Sequence, residues 1–184
     1  EATADKGQGE GASKKGEIKQ FLERVAEEYG QQLSSRTGEK GTDEIRQLIE
    51  SNEPDDSTER SWNWRSPSLG IRMTLENRGQ EYNGYPVSAG YFGAYCMDGL
   101  AVALHSVYHT NSFAEAVEKC VNHLGDADSN ASIAGQIAGA YYGFSSIDAR
   151  LLEQLQQWDG HGEVALRGAL LCLSGKQRSE VLRS

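Results

Sequence analysis

The sequence predicts an all-α protein, and three observations carry that reading. Apolar residues recur at helical spacing in several separate stretches. No stretch alternates apolar and polar residues over a useful strand length, and one segment repeats small residues every four positions. The chain has 184 residues, a formal net charge of −9 and 38 % apolar residues. That length allows one ordinary domain with a real core. An apolar share below the roughly 45–50 % usual for globular chains implies that part of the chain is unpacked, or packs on something outside it. The acidic balance argues against a nucleic-acid surface, which needs basic residues to displace counterions. No apolar run approaches the roughly 20 residues that span a bilayer. Cys96, Cys120 and Cys172 are odd in number and widely spaced. Neither a disulfide framework nor a zinc ribbon is therefore expected, and a reducing compartment, cytoplasmic or organelle interior rather than secreted, is the natural expectation. The chain starts at Glu1 and not Met, which reads as a cut or processed product of something longer.

The elements follow in order. Residues 1–16 hold no apolar side chain larger than Ala and read as a flexible lead-in. Ile18, Phe21, Leu22 and Val25 then form one stripe of an amphipathic helix over 17–30. Thr42 is a plausible N-cap for a short helix with Ile45, Leu48 and Ile49 on its inner face. A charged linker with Pro54 closes this part, so residues 1–60 read as a polar extension and 61–184 as the main helical domain. Trp62 and Trp64, with Arg65, could stack on an adenine, although core packing is the plainer reading. Asn83-Gly84-Tyr85-Pro86 is turn chemistry. Leu100, Ala103, Leu104 and Val107 mark the next helix, and Ser112 with Glu115 matches a capping box for another that ends near Leu124-Gly125. Beyond it Ala131, Gly135, Gly139 and Gly143 recur every four residues beside Ala134 and Ala138. Such a line strips bulk from one helix face, and another backbone is expected to approach closely there. Two further helices are expected over 147–158 and 162–173.

The segment with chemical content is Gly125-Asp126-Ala127-Asp128-Ser129, two carboxylates and a hydroxyl at a helix start. Carboxylates there gain from the helix dipole and can cap free amides. Hard divalent cations such as Mg²⁺ want oxygen ligands of the same kind. From the residues alone both readings stand. His105 and His109 lie four apart, as zinc ligands can, yet no third ligand is within sequence reach.

Residues 122–143, Asn-His-Leu-Gly-Asp-Ala-Asp-Ser-Asn-Ala-Ser-Ile-Ala-Gly-Gln-Ile-Ala-Gly-Ala-Tyr-Tyr-Gly, closely resemble the C-terminal motif of the ADP-ribosylglycohydrolase family, which includes the dinitrogenase reductase-activating glycohydrolases. The helix start Ala94-Tyr95-Cys96-Met97-Asp98-Gly99-Leu100 and the segment Ser112-Phe113-Ala114-Glu115-Ala116-Val117 are similar to family segments in the same order. The resemblance covers roughly residues 83–143. It implies a helical bundle with a binuclear Mg²⁺, sometimes Mn²⁺, centre that hydrolyses glycosidic bonds to ADP-ribose. Asp126, Asp128 and Ser129 then stand at second-half metal-ligand positions, and Tyr95 at a tyrosine that lines the substrate cleft in some members. The family's first-half motifs, a Gly-Asp-Ala-x-Gly-like segment, Thr-Asp-Asp-Thr/Ser and a glutamate, have no counterpart here, and Asp55-Asp56-Ser57 lacks the preceding Thr. Leu124 replaces the first Gly of the usual Gly-Gly-Asp loop. The expectation is therefore the C-terminal portion of a Mg²⁺-dependent hydrolase, not a competent enzyme by itself and with no catalytic residue assigned. It would need a complementing N-terminal half or partner chain, and would act on ADP-ribosylated protein or ADP-ribose. The alternative is a catalytically inactive structural or interaction subunit, a pseudoenzyme, of a larger assembly.

Overall fold

The computed structural model describes residues 7–35, 42–52, 62–71, 81–82, 85–86 and 95–181. Among them the regular structure is helical apart from one two-residue strand pair, as the all-α expectation requires. The helices are α1 (Gly7–Ser34), α2 (Thr42–Glu50), α3 (Cys96–Tyr108), α4 (Phe113–Val121), α5 (Ala127–Tyr142), α6 (Ala149–Trp158) and α7 (Glu163–Val181), with a 3₁₀ turn at Phe144–Ser146. β1 (Glu81–Tyr82) and β2 (Tyr85–Pro86) pair antiparallel, Tyr82 opposite Tyr85. They flank the Asn83-Gly84 dipeptide, which itself lies outside the described residues, as do Asp55, Asp56 and Ser57.

α1 begins at Gly7, ten residues before the first residue of its expected span, and α7 runs on to Val181 instead of stopping near residue 173. Once a helix is nucleated, each added residue gains one hydrogen bond at small cost, so a polar, proline-free flank continues the turn without an apolar face of its own. The anchor of α1 is the expected stripe: Ile18 and Leu22 are buried, joined by Ala26 and Leu33, whereas Val25 stays largely exposed. α1 packs on α2, and both reach α3. Gly30 of α1 lies so close to α2 that a Cβ there would meet Glu50 Oε1 at 2.8 Å.

Trp64 and Trp62 are core residues, the first 1 % exposed, so neither offers a face for adenine. Arg65 straps this segment down. Its guanidinium lies 3.9 Å from the Trp64 ring centroid and donates to both Glu23 carboxylate oxygens and to the carbonyls of Ile49 and Ser51. α3 contributes Met97, Ala101, Val102, Ala103 and Val107 to the core, α4 Ala116 and Cys120, and α5 Ala134 and Ala138. α5 packs on both α3 and α4. That packing fixes the orientation of the first turn of α5, which carries the acidic motif.

Contacts divide the chain into two compact units, 1–146 and 147–184. α1 and α2, which composition sets apart at residue 60, pack within the first. In the second, Asp148 caps α6 by accepting from the Arg150 amide at 2.9 Å. Asp159 caps α7, accepting from the Glu163 and Val164 amides at 3.1 and 2.9 Å.

Candidate metal centre

α4 and α5 place the acidic turn. Ser112 Oγ accepts from the Glu115 amide at 3.2 Å, and Glu115 reaches back to accept from the Asn111 amide at 2.9 Å. The reciprocal cap foreseen at Ser112 and Glu115 is therefore present, with the return bond one residue earlier than usual. α4 ends at Val121, and the chain turns through Leu124 and Gly125 into α5. Both take positive φ, 64° for Leu124 and 71° for Gly125. Leucine at the family's glycine position thus leaves a left-handed backbone in place and bears its steric strain, about 1–2 kcal/mol.

Asp126 is the N-cap residue of α5, and its backbone carbonyl accepts from the Asn130 amide at 3.0 Å. Its carboxylate, however, makes no cap hydrogen bond. Asp128 sits in the first turn with an exposed side chain, and Ser129 follows, also exposed. The Asp126 side chain therefore does not cap the helix, and its carboxylate lies beside the helix's positive end. One turn further on, Asn130 is 1 % exposed, and neither Nδ2 nor Oδ1 has a hydrogen-bond partner. A buried amide left unsatisfied costs about 1–3 kcal/mol, and both polar atoms of Asn130 are in that state.

The donor set fits a hard divalent cation in kind. It consists of two carboxylates, a hydroxyl and an orphaned amide within one helical turn, all oxygen or amide chemistry with no sulfur. It does not fill a shell. Among the described residues no group of three or more His, Cys, Asp or Glu side chains is close enough to hold a metal ion.

Tyr95 is the N-cap residue of α3 and half-buried. Its ring packs on Trp62, with centroids 6.5 Å apart, and Trp62 Nε1 donates to buried Asp98 at 2.9 Å. The described contacts group Tyr95 with this Trp62–Asp98 pair and not with the Asp126 turn. The sequence assigns Asp98 no role; its only local signal is a lone acid in the apolar run of α3. Asn130 was passed over too. It lies on the line Asp126, Asn130, Ala134, Ala138, one residue off the glycine line that drew attention.

That glycine line is a correction. The buried side of α5 is Asn130, Ala134 and Ala138, whereas a Cβ at Gly135 would meet nothing within 4 Å and one at Gly139 only Phe113 Cε2 at 3.8 Å. No backbone approaches the glycines among the described residues. Gly143 does have a local reason, closing the helix at φ +83°.

The histidines gather a neighbour from further along the chain. His105 and His109 ring centroids are 4.5 Å apart, and His123, just after α4, stands edge-on to His105 at 5.4 Å. His105 Nδ1 is 3.3 Å from the Trp64 carbonyl, to which it donates. Burial, then repulsion from His109, Lys119 and His123, pushes the His105 pKa down to about 3. Burial and the charges of Lys19 and Lys119 lower His109 as well. His105 is thus a neutral core imidazole.

A sequence model described as ADP-ribosylglycohydrolase matches residues 2–179. ADP-ribosylarginine hydrolase Tri1 of Serratia proteamaculans (strain 568) is 36 % identical over 101 residues, which are 55 % of this chain and 27 % of that protein. The protein of the same name from Pseudomonas putida (strain GB-1) is 40 % identical over 67 residues, 36 % of this chain and 18 % of its own. ADP-ribosyl-[dinitrogen reductase] glycohydrolase of Rhodospirillum rubrum is 33 % identical over 107 residues, 56 % of this chain and 34 % of its own. The chain therefore spans about a third, or less, of the length of these curated relatives. No solved structure matches it.

Proposed function

The chain belongs to the ADP-ribosylglycohydrolase family, and on that premise we propose that it is the C-terminal portion of a hydrolase of ADP-ribosyl glycosidic bonds, with a Mg²⁺- or Mn²⁺-binding turn at Asp126, Asp128 and Ser129. The observation that carries this reading is the Asp126 carboxylate, placed at the N-cap of α5 yet making no cap bond. Together with exposed Asp128 and Ser129 it forms one acidic side of a cation shell. A divalent cation bound there supplies Lewis-acid polarisation of a water and of ribose hydroxyls. The chain's own contribution is to set both carboxylates beside the positive end of the α5 dipole and to fix their turn by packing α5 on α3 and α4. Relatives named for ADP-ribosylarginine and for ADP-ribosylated dinitrogen reductase support a protein-linked ADP-ribosyl group as the substrate class. Tyr95 would line the cleft, and residues 61–184 would form the C-terminal part of the catalytic domain.

The rest of the ligand set would come from an N-terminal half supplied by the same precursor or by a partner chain. A second reading, an inactive structural subunit of a larger assembly, is favoured by the lack of a complete ligand cluster among the described residues. The two are separated by mixing the chain with a family N-terminal half and assaying release of ADP-ribose from ADP-ribosylarginine in Mg²⁺ and in EDTA. The enzymatic reading expects release that needs both pieces and the cation, and that Asp126→Asn abolishes. Absence of release, together with no calorimetric heat for Mg²⁺ in the mixture, leaves the structural subunit.

A further inference from the structure

We propose that Asn130 is a positioning residue for the α5 cation site, its buried amide donating from Nδ2 to the Asp126 carboxylate and so aiming that carboxylate at the ion. The inference rests on the cation reading of the Asp126 turn and adds a residue that neither the motif nor composition assigns.

Three observations support it. Asn130 is 1 % exposed and both its polar atoms lack partners, so the fold retains a polar group that its own contacts do not use. It lies four residues after Asp126, on the same helix face, and its backbone amide already donates to the Asp126 carbonyl at 3.0 Å. Side chains in an α-helix tilt in general toward its N-terminus, which from position 130 is the direction of the turn that carries Asp126. The Asp126 carboxylate makes no cap bond, so it is open to a donor from that direction. Ala134 and Ala138, the next residues on that face, are small and apolar, and a leucine at 130 would suit their surroundings better than an amide. A ligating carboxylate generally needs a second hydrogen-bond partner to fix which oxygen faces the ion, and loss of that partner weakens binding about 10–100-fold.

The test is a Mn²⁺ titration of the full chain, mixed with a family N-terminal half that supplies the remaining ligands, by calorimetry and electron paramagnetic resonance. Wild type, Asn130→Leu, Asn130→Asp and Asp126→Asn are compared, with thermal melts of each in EDTA. The expected result is a split in Asn130→Leu: a melting temperature equal to or above wild type, because an unsatisfied amide has been replaced by an apolar side chain, and Mn²⁺ affinity about tenfold weaker. A purely structural role would move stability and leave affinity where it was, and that outcome overturns the proposal while Asp126→Asn still reports an intact cation reading. Wild type that binds no Mn²⁺ removes the cation reading itself, and the proposal with it. If Asn130→Leu does not fold, Asn130→Asp decides. It keeps the shape and loses the donor, so weaker binding supports the proposal, and equal or tighter binding refutes it.

Discussion

Leu124 holds φ 64° and is 56 % exposed. Replacing it with glycine removes the strain of a β-carbon in the left-handed region, against which the unfolded chain gains some entropy. Leu124→Gly is expected to stabilise the chain by about 1 kcal/mol in urea denaturation; a loss of stability would mean that the leucine makes a contact the fold depends on. His105 carries the pH prediction. Its folded pKa, about 3, lies below the ordinary 6.5 because the imidazole is buried and faces His109, Lys119 and His123. Between those two values the unfolded chain binds the extra proton. Stability is therefore complete above pH 6.5 and falls as pH drops toward 3, by up to about 1.4 kcal/mol per pH unit. Denaturation midpoints at pH 7.5 and 5.0 should differ accordingly, and His105→Phe should flatten the difference. An unchanged slope in that variant would place the acid sensitivity elsewhere.

At the scale of elements, periodicity and caps were legible and absolute face assignment was not. The stripe from Ile18 and the Ser112–Glu115 cap are local patterns; the structure buries Ile18 and Leu22 of the stripe but not Val25, and keeps the cap. The ends of α1 and α7 were missed because a polar flank propagates a helix without any apolar signal. On α5 the sequence offered two parallel lines one residue apart. The glycine line was conspicuous, yet α3 and α4 take up the line of Asn130, Ala134 and Ala138. The acidic motif was legible for the same local reason as the caps; its unsatisfied neighbour Asn130 was not, because burial is a property of the packed helices. The open glycine face yields a prediction. Gly135→Ala meets no atom within 4 Å and restores helix propensity, so it should stabilise the isolated chain by about 0.5–1 kcal/mol. Should a complementing half pack its backbone on that face, the same substitution should weaken reconstitution with it. Destabilisation of the chain alone would show that the face is already covered.

Taken whole, the first unit has an open apolar groove among its described residues. Phe21, Val25 and Tyr29 of α1, Ile45 of α2, Leu100 of α3 and Ile137 of α5 line an open groove of about 610 Å³. Few polar atoms face it, so water in the groove gives up hydrogen bonds, and an apolar dye should displace it readily. The matched stretches make up about a third, or less, of the curated relatives, and if the chain is the C-terminal portion proposed above, the remaining part would bury this face. The net charge of −9 opposes self-association of such a surface. The isolated chain is therefore expected to enhance anilinonaphthalene sulfonate fluorescence while running as a monomer at low salt. Exposed leucines of the second unit contribute as well, Leu171 at 73 % among them, so two variants divide the signal. Ile137→Glu should remove the part due to the groove and Leu171→Glu the part due to α7, each with the helical circular dichroism retained. Emission that Ile137→Glu leaves untouched would mean the groove is closed in solution, and the first unit would then have to be regarded as complete in itself.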